Sequence, residues 1–284
     1  MSPDAIPAVV ELGATLPNDS GGVVTEQATL TDAARGPWDA AMAHGGAPGA
    51  LLTRAVERRA AFDEQRVSSL AFTFLGPVPL GPVTVRTSVR KPGRRLQVVH
   101  GELVAGDRVV MEVRAVLLRR ARIALPSGVG MPWPELPPPE GLVASTESIR
   151  AAGVDPETDA SFHPTAIEIR PVEGSLRSIT AEAAAWIRLG LPLVAGETPT
   201  GAQRTVAAAD FGNGLAHPVS FDDYVFVNCD LTVSLYRDPA GEWIGIRPRT
   251  EIAPQGTGLT TTELHDAAGR FGTATQTLFV DERP

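Results

Sequence analysis

The sequence predicts an α+β protein in which two antiparallel sheets, each wrapped around one helix, follow each other in tandem. Three observations support this fold class. The chain has 284 residues, enough for two domains of ordinary size. A proline-rich segment divides it near the middle. The order of helix and strand patterns before that segment is repeated after it, which is typical of an internal duplication.

The segment between the halves is rich in proline and glycine. It contains PSGVGMPWPELPPPEG and, further on, VDPETDASFHP. Because proline has no N–H group to donate, such runs interrupt both helices and sheets. We therefore predict an N-terminal domain over residues 1–122, a linker over 123–163 and a C-terminal domain over 164–284.

In the first half, the stretch HGGAPG at 44–49 predicts the start of a helix that continues to about Phe62. Alternating apolar and polar residues over Val83–Arg90 predict a strand. Two more runs, Leu96–Val104 and Arg108–Leu118, flank the turn AGD and predict a hairpin.

The second half repeats this order. A helix is predicted over Thr198–Phe211, and four strands are predicted over Val225–Arg237, Trp243–Ile252, Gly258–Asp266 and Arg270–Val280. We predict the order strand, helix, four strands for both halves. One helix beside an antiparallel meander can bury its apolar stripe only if the sheet wraps around it. That arrangement is the hotdog fold, and two copies in one chain make a double hotdog.

Four motifs carry a resemblance to a known family: HGG before the first helix, AADF in the second helix, VNCDLTVSLYR in a strand and FGTATQTLFV near the end. In their order and spacing they resemble the acyl-CoA thioesterase II, or TesB-like, family, especially its actinobacterial-type branch. The resemblance covers both halves but not the linker. It implies a double hotdog that hydrolyses acyl-CoA thioesters without a cofactor.

Composition narrows the classes of function. The net charge of −8 gives no electrostatic basis for nucleic-acid binding. No run of 18 apolar residues predicts a membrane span, and the first residues lack the pattern of a signal peptide, so a cytoplasmic protein is expected. The five histidines are scattered without the spacing of metal ligands, so no metal site is predicted. Cys229 is predicted to be an inert thiol on a buried strand face.

Asp210 is the first candidate catalytic residue. It follows three alanines on the second predicted helix, which suggests a helix closely wrapped by sheet. A buried carboxylate there needs hydrogen-bond donors, whereas an aspartate exposed at the helix end would need none. The resemblance favours the buried alternative, because the family's catalytic aspartate falls at this helix position.

Gln276 and Asn228 are the other two catalytic candidates. Gln276 shares a strand face with apolar residues, so its amide needs a specific partner, either the backbone or a functional water. The resemblance implies that a glutamine here helps the aspartate to hold the attacking water. Asn228 stands where the family usually has threonine, two residues before Asp230. An amide can donate and accept, so Asn228 is also a candidate for positioning water.

The glycines Gly45 and Gly46 precede the first helix. They either form a tight entry turn or expose N–H groups that bind the thioester oxygen, since helix N-termini attract negative charge. His44 is a less favoured candidate for a catalytic base. Glu57 aligns with Asp210 between the repeats and is a candidate for a second or vestigial site.

These residues favour an acyl-CoA thioesterase in which Asp210, Asn228 and Gln276 hold a water. Two alternatives stay open: an acyl-CoA binding protein without turnover, and a hotdog hydratase or dehydratase. The latter ranks lowest because no matching Asp and His pair stands out in the sequence. A homodimer or higher oligomer, formed through exposed strand edges, is also expected.

Overall fold

The computed structural model describes residues 8–16, 22–129, 135–147, 161–174 and 178–283. Most of them lie in strands that pair into one sheet. The strands are β1 (Val10–Leu16), β2 (Val24–Leu30), β3 (Gln65–Phe74), β4 (Gly81–Lys91), β5 (Leu96–Ala105), β6 (Arg108–Arg119), β7 (Ile167–Glu173), β8 (Ala184–Leu189), β9 (Tyr224–Asn228), β10 (Asp230–Leu235), β11 (Ile244–Ala253), β12 (Thr257–Asp266) and β13 (Gly269–Glu282). The α-helices are α1 (Gly46–Glu57), α2 (Gly201–Ala209) and the short α3 (Gly212–Leu215).

The two halves share one continuous sheet. Its strand order is β1-β2-β4-β5-β6-β3-β10-β13-β12-β11-β8-β7, and β9 also pairs with β13. The seam is the antiparallel pair of β3 and β10, in which Leu70 faces Val233. Both of these side chains are fully buried. Two sheets of the same topology are therefore joined edge to edge, and the predicted tandem double hotdog is confirmed.

The helices α1 and α2 lie antiparallel in the centre and pack against each other. Every residue of α1 from Gly46 to Val56 is buried, because the sheet covers one side of the helix and α2 the other. The approach is close. A Cβ on Gly49 would lie 2.8 Å from Val206 Cγ1, and one on Gly46 would lie 2.8 Å from the Ala207 carbonyl oxygen. Glycines in the HGGAPG stretch thus allow the two helices to touch.

Several details of the prediction are wrong, and α1 ends at Glu57 rather than near Phe62. Each helix is preceded by two strands rather than one. The single strand predicted over Val225–Arg237 is two strands, β9 and β10, with a break at Cys229. Phe226 and Leu231 are both buried, although unbroken alternation would place them on opposite faces. The break changes the face of the sheet toward which the side chains of β9 point. It also leaves Cys229 exposed, whereas the sequence predicted a buried thiol.

Within the predicted linker, residues 123–129, 135–147 and 161–163 are described, and the middle stretch packs on β8 in the second half of the sheet. Leu136 packs on Trp186 on the face of β8 that is opposite the main core, and the Trp186 indole N–H donates to the Pro137 carbonyl at 2.6 Å. Residues 130–134 and 148–160 of the linker lie outside the described residues. The longest described helix, α1, has 12 residues, and none of the described helices could cross a bilayer.

Candidate active site

Asp210 stands directly after the last residue of α2, and its side chain is only 4% exposed. Since a buried carboxylate is costly without donors, its partners define the site. Asn228 Nδ2 donates to Oδ1 at 2.7 Å, and His44 Nδ1 lies 2.9 Å from Oδ2. The predicted alternative of an aspartate exposed at the helix end is therefore wrong.

His44 comes from the other half of the chain, immediately before the start of α1. Its ring stacks on Phe211 with a centroid distance of 4.2 Å and also packs against Phe162 at 5.2 Å. Nδ1 lies within 3.2 Å of the Gly46 N–H as well. One nitrogen cannot accept from an N–H and donate to a carboxylate together, so we assign the Nδ1 proton to the stronger, charged acceptor.

No Asp and His pair stands out in the sequence, because His44 and Asp210 lie in different halves of the chain. The antiparallel packing of α1 and α2 brings the beginning of one helix to the end of the other, and so joins His44 to Asp210. The structure therefore contains an Asp and His pair that did not stand out in the sequence.

Asn228 is the last residue of β9, immediately before the break at Cys229. With Nδ2 donating to Asp210, its Oδ1 is left as an acceptor. Asp230, after the break, accepts a hydrogen bond from the Thr277 N–H at 2.8 Å, so its role is to hold β10 against β13. The asparagine therefore reaches the carboxylate because the break turns it toward α2.

Gln276, on β13, approaches Asp210 from the side away from the cavity, and it is 1% exposed. Its Nε2 lies 3.4 Å from the main-chain oxygen of Asp210 and 3.4 Å from Asn213 Oδ1, while its Oε1 accepts from the Asn213 N–H at 3.3 Å. A Cβ on Gly212 would lie 2.6 Å from Oε1, so a larger residue there would displace the Gln276 amide. Gln276 contacts the backbone beside the carboxylate rather than the carboxylate itself.

A cavity of about 890 Å³ opens beside these groups. His44, Asp210 and Asn228 all line it, and Gln276 does not. Its other walls are mainly apolar. They include Trp38, Met42, Phe74, Pro77, Val78, Phe221, Phe226 and Val227. The charged residues Arg35, Asp39, Asp222 and Arg283 also line it. Largely apolar walls with a few polar groups are typical of a pocket that binds a small molecule and fixes its orientation.

The two glycines of the HGG motif differ in position. Gly45 is the N-cap of α1 and lines the cavity, and a Cβ there would lie 2.9 Å from Asp210 Oδ2. Gly46 is not among the residues that line the cavity, and its N–H faces the His44 ring. The absence of a side chain at Gly45 thus leaves the carboxylate accessible.

Glu57 lies at the last residue of α1, beside the first turn of α2. Its carboxylate accepts from Thr200 Oγ1 at 2.9 Å and from Gln203 Nε2 at 2.7 Å. Burial raises the pKa of Glu57, although these two hydrogen bonds oppose the shift. The predicted repeat alignment of Glu57 with Asp210 stays a prediction, and Glu57 is bonded to the first turn of α2 and does not line the cavity.

The end of the predicted linker contributes residues that sequence reasoning did not assign to the site. Phe162 is fully buried and packs against His44. His163 lines the cavity, and its Nε2 lies 2.8 Å from Ser145 Oγ. Burial, and to a lesser degree the neighbouring His44, lowers the pKa of His163 to about 4, so this imidazole is neutral at pH 7. In the sequence, the only sign that this segment belongs to the site was the phenylalanine and the histidine of the motif SFHP.

The fold and the site together define a class of protein. It is a double hotdog protein in which a buried, hydrogen-bonded carboxylate and a histidine lie at a largely apolar cavity. Residues 34–118 match the model of the acyl-CoA thioesterase N-terminal domain, and residues 139–280 match that of the C-terminal domain. The chain therefore belongs to the acyl-CoA thioesterase family, as its motifs suggested. The branch within the family stays a prediction.

Solved structures agree on the fold. A conserved protein with a hot dog fold from Alicyclobacillus acidocaldarius has a TM-score of 0.69 at 17% identity, covering 95% of this chain and 96% of that chain. The tesB protein of Mycobacterium avium subspecies paratuberculosis has a TM-score of 0.65 at 17% identity, with the same coverage of 95% and 96%. An acyl-CoA thioesterase II from Mycobacterium marinum has a TM-score of 0.61 at 13% identity, covering 95% and 96%. Comparison with curated proteins gave no match.

Proposed function

We propose that the protein is an acyl-CoA thioesterase that hydrolyses its substrate to a free acid and coenzyme A by direct attack of water. Family membership supports the substrate class and the reaction type. The observation that carries the site assignment is the hydrogen bond between Asn228 Nδ2 and Asp210 Oδ1, made at the surface of the cavity.

The attacking water is held by two acceptors. Asp210 accepts one of its protons, and Asn228 accepts the other with Oδ1, because its Nδ2 is already bonded to the carboxylate. A lone pair of the water is then directed away from both, toward the thioester carbon. As the C–O bond forms, the proton moves to Asp210, and it is passed to the leaving thiolate when the C–S bond breaks.

His44 and Gln276 act as positioning residues in this proposal. His44 donates to Oδ2, which orients the carboxylate, and the stack on Phe211 fixes the ring. Gln276 holds the Asp210 main chain from behind, which replaces the direct contact with water expected from the sequence. The Gly45 N–H, at the start of α1, donates to the thioester oxygen.

The test is Asp210→Asn, which keeps the size of the side chain and removes the proton acceptor. We expect kcat for thiol release from an acyl-CoA panel to fall about 10²–10⁴-fold, with acyl-CoA affinity changed much less. Asp230→Asn is the matched control, because Asp230 bonds to the backbone of β13 and takes no part in the proposed chemistry. Full activity in the Asp210 variant would contradict the assignment.

A second candidate is favoured by one observation, the pairing of His44 with Asp210 across the two halves. An imidazole and a carboxylate at one cavity can remove and return protons beside a thioester carbonyl, as a hydratase or dehydratase requires. The same substrate panel separates the functions. Loss of enoyl-CoA absorbance without thiol release would support the second candidate, and binding without either change would support an acyl-CoA binding protein.

A further inference from the structure

Asn213 is a buried polar residue of the cavity to which the proposed mechanism gives no role. It lies three residues after Asp210 in α3 and is 7% exposed. It is nevertheless among the residues that line the cavity. A buried amide must satisfy both of its ends or present one of them to a ligand.

The orientation of the Asn213 amide follows from its neighbours. Gln276 Nε2 contacts the Asp210 carbonyl, so this end of Gln276 carries the protons. The same Nε2 lies 3.4 Å from Asn213 Oδ1, and Gln276 Oε1 accepts from the Asn213 N–H. Asn213 therefore directs Oδ1 toward Gln276, which leaves Nδ2 at the other end. Within the described part of the chain, no group accepts a hydrogen bond from Nδ2.

The orientation of the Asn213 amide is fixed by the packing around Gln276. Gln276 sits on a strand in the middle of the sheet, between β10 and β12, and is almost fully buried. Gly212 is pressed against it, since a Cβ there would lie 2.6 Å from Gln276 Oε1 and 2.9 Å from Thr262 Oγ1. The amide of Asn213 thus has a fixed support on one side and the cavity on the other.

We propose that Asn213 Nδ2 donates a hydrogen bond to the carbonyl oxygen of the bound thioester, and that Gln276 positions Asn213 for this role. The inference rests on the proposed function and deepens it. When water adds to the carbonyl carbon, the π electrons of the C=O bond move to the oxygen. Nδ2 and the Gly45 N–H then stabilise that negative charge together from the cavity wall.

The first test compares two variants of Asn213. Loss of one such donor costs about 10²–10³-fold in kcat, with a smaller effect on KM. We expect that loss for Asn213→Ala, and a larger loss for the isosteric Asn213→Asp, whose second oxygen would face the oxyanion. A structural role would give the reverse order, because aspartate fills the space and alanine does not. That reverse order, or wild-type kcat in either variant, would overturn the proposal.

The role of Gln276 is tested by a double-mutant cycle. Gln276→Met keeps the length of the side chain but removes the contacts that orient Asn213, so kcat should fall. Since Gln276 acts on Asn213 as well as on the Asp210 main chain, adding Gln276→Met to Asn213→Ala should cause a smaller further loss than Gln276→Met causes alone. Gln97→Met is the matched control, because Gln97 is equally buried at 1% and bonds to the Arg59 carbonyl, away from the cavity. Multiplicative losses in the cycle would overturn the positioning role.

A measurement that needs no turnover separates this inference from the proposed function. A ketone analogue of acyl-CoA, with CH₂ in place of sulfur and a ¹³C-labelled carbonyl, is bound to the protein and followed by difference infrared spectroscopy. The carbonyl band should move to lower wavenumber on the wild type and return toward its free position on Asn213→Ala. An equal band position on both proteins would overturn the proposal, whereas failure of the wild type to release thiol would count only against the thioesterase.

Discussion

Two buried aspartates show how neighbours decide the role of one residue type. The side chain of Asp266 is 0% exposed and receives Arg237 at 2.5 and 2.7 Å, together with the N–H groups of Ala240 and Ala268 at 2.8 Å. Its acceptor positions are filled. Asp210 receives one hydrogen bond on each oxygen and lies against a cavity. The first arrangement stabilises a turn, and the second leaves acceptor positions open beside the cavity.

The filled site at Asp266 predicts a dependence of stability on pH. Burial alone would raise the pKa of Asp266, but Arg237 and the two N–H groups outweigh it, so the pKa lies below its ordinary value. A carboxyl with a lowered folded pKa stabilises the protein above its unfolded pKa, about 3.9, and loses that contribution as the pH falls through the folded pKa.

Asp266→Asn should therefore lower the free energy of unfolding by about 3 kcal/mol at pH 7, because it leaves Arg237 without its charged partner. The difference from the wild type should shrink below about pH 4. Urea titrations at several pH values measure both effects. The exposed pair of Arg249 and Glu251 provides the control, since Glu251→Gln should change stability by less than about 1 kcal/mol. A deficit for Asp266→Asn that stays constant down to pH 2 would contradict this account.

At the scale of elements, the contact between α1 and α2 both closes the core and builds the site. It places the start of each helix beside the end of the other, which brings His44 to Asp210 and Glu57 to Thr200. The small residues on the facing surfaces permit this approach. The glycines of the HGGAPG stretch are thus explained by helix packing as much as by access to the cavity.

Gly49→Ala tests the helix contact away from the site. Its new methyl group would lie 2.8 Å from Val206 Cγ1, so a side chain or a helix must move. We expect a loss of about 1–3 kcal/mol in the free energy of unfolding, measured by urea titration. Gly190→Ala is the control, because its Cβ would meet only the Ala166 carbonyl at 3.7 Å. If Gly49→Ala and Gly190→Ala were equally stable, the contact between α1 and α2 at Gly49 would have room for a methyl group, which would contradict the close packing.

At the scale of the whole molecule, the halves do not have separate cores. One hydrophobic cluster contains residues of both halves, among them Leu52, Leu70, Val206 and Val233. The sheet is continuous through the pair of β3 and β10. The catalytic candidates also come from both sides of the linker, so neither half contains the site alone.

The shared core predicts a single cooperative unit. Leu70→Ala, in the first half of the seam, should cost about 2–5 kcal/mol because it leaves a cavity opposite Val233. Hydrogen exchange followed by mass spectrometry should then show equal loss of protection in β5 and in β12, which belong to different halves. Loss confined to β5 would show that the halves unfold independently.

The sequence by itself determined the repeat, the two longer helices and most strand positions, because these depend on periodicity, which is a local property. The bounds of the linker stay a prediction. The sequence also offered Asp210, after three alanines, as either a buried or an exposed carboxylate, and the family resemblance favoured the buried alternative. It did not predict the break at Cys229, since a change of face in a strand depends on what packs against each side. Only the tertiary structure decided the partners of Asp210. His44 lies in the other half, Asn228 is turned by the break, and Asn213 is oriented from behind by Gln276. Contacts between residues so distant in sequence arise when two helices and one sheet pack together, and no local pattern encodes them.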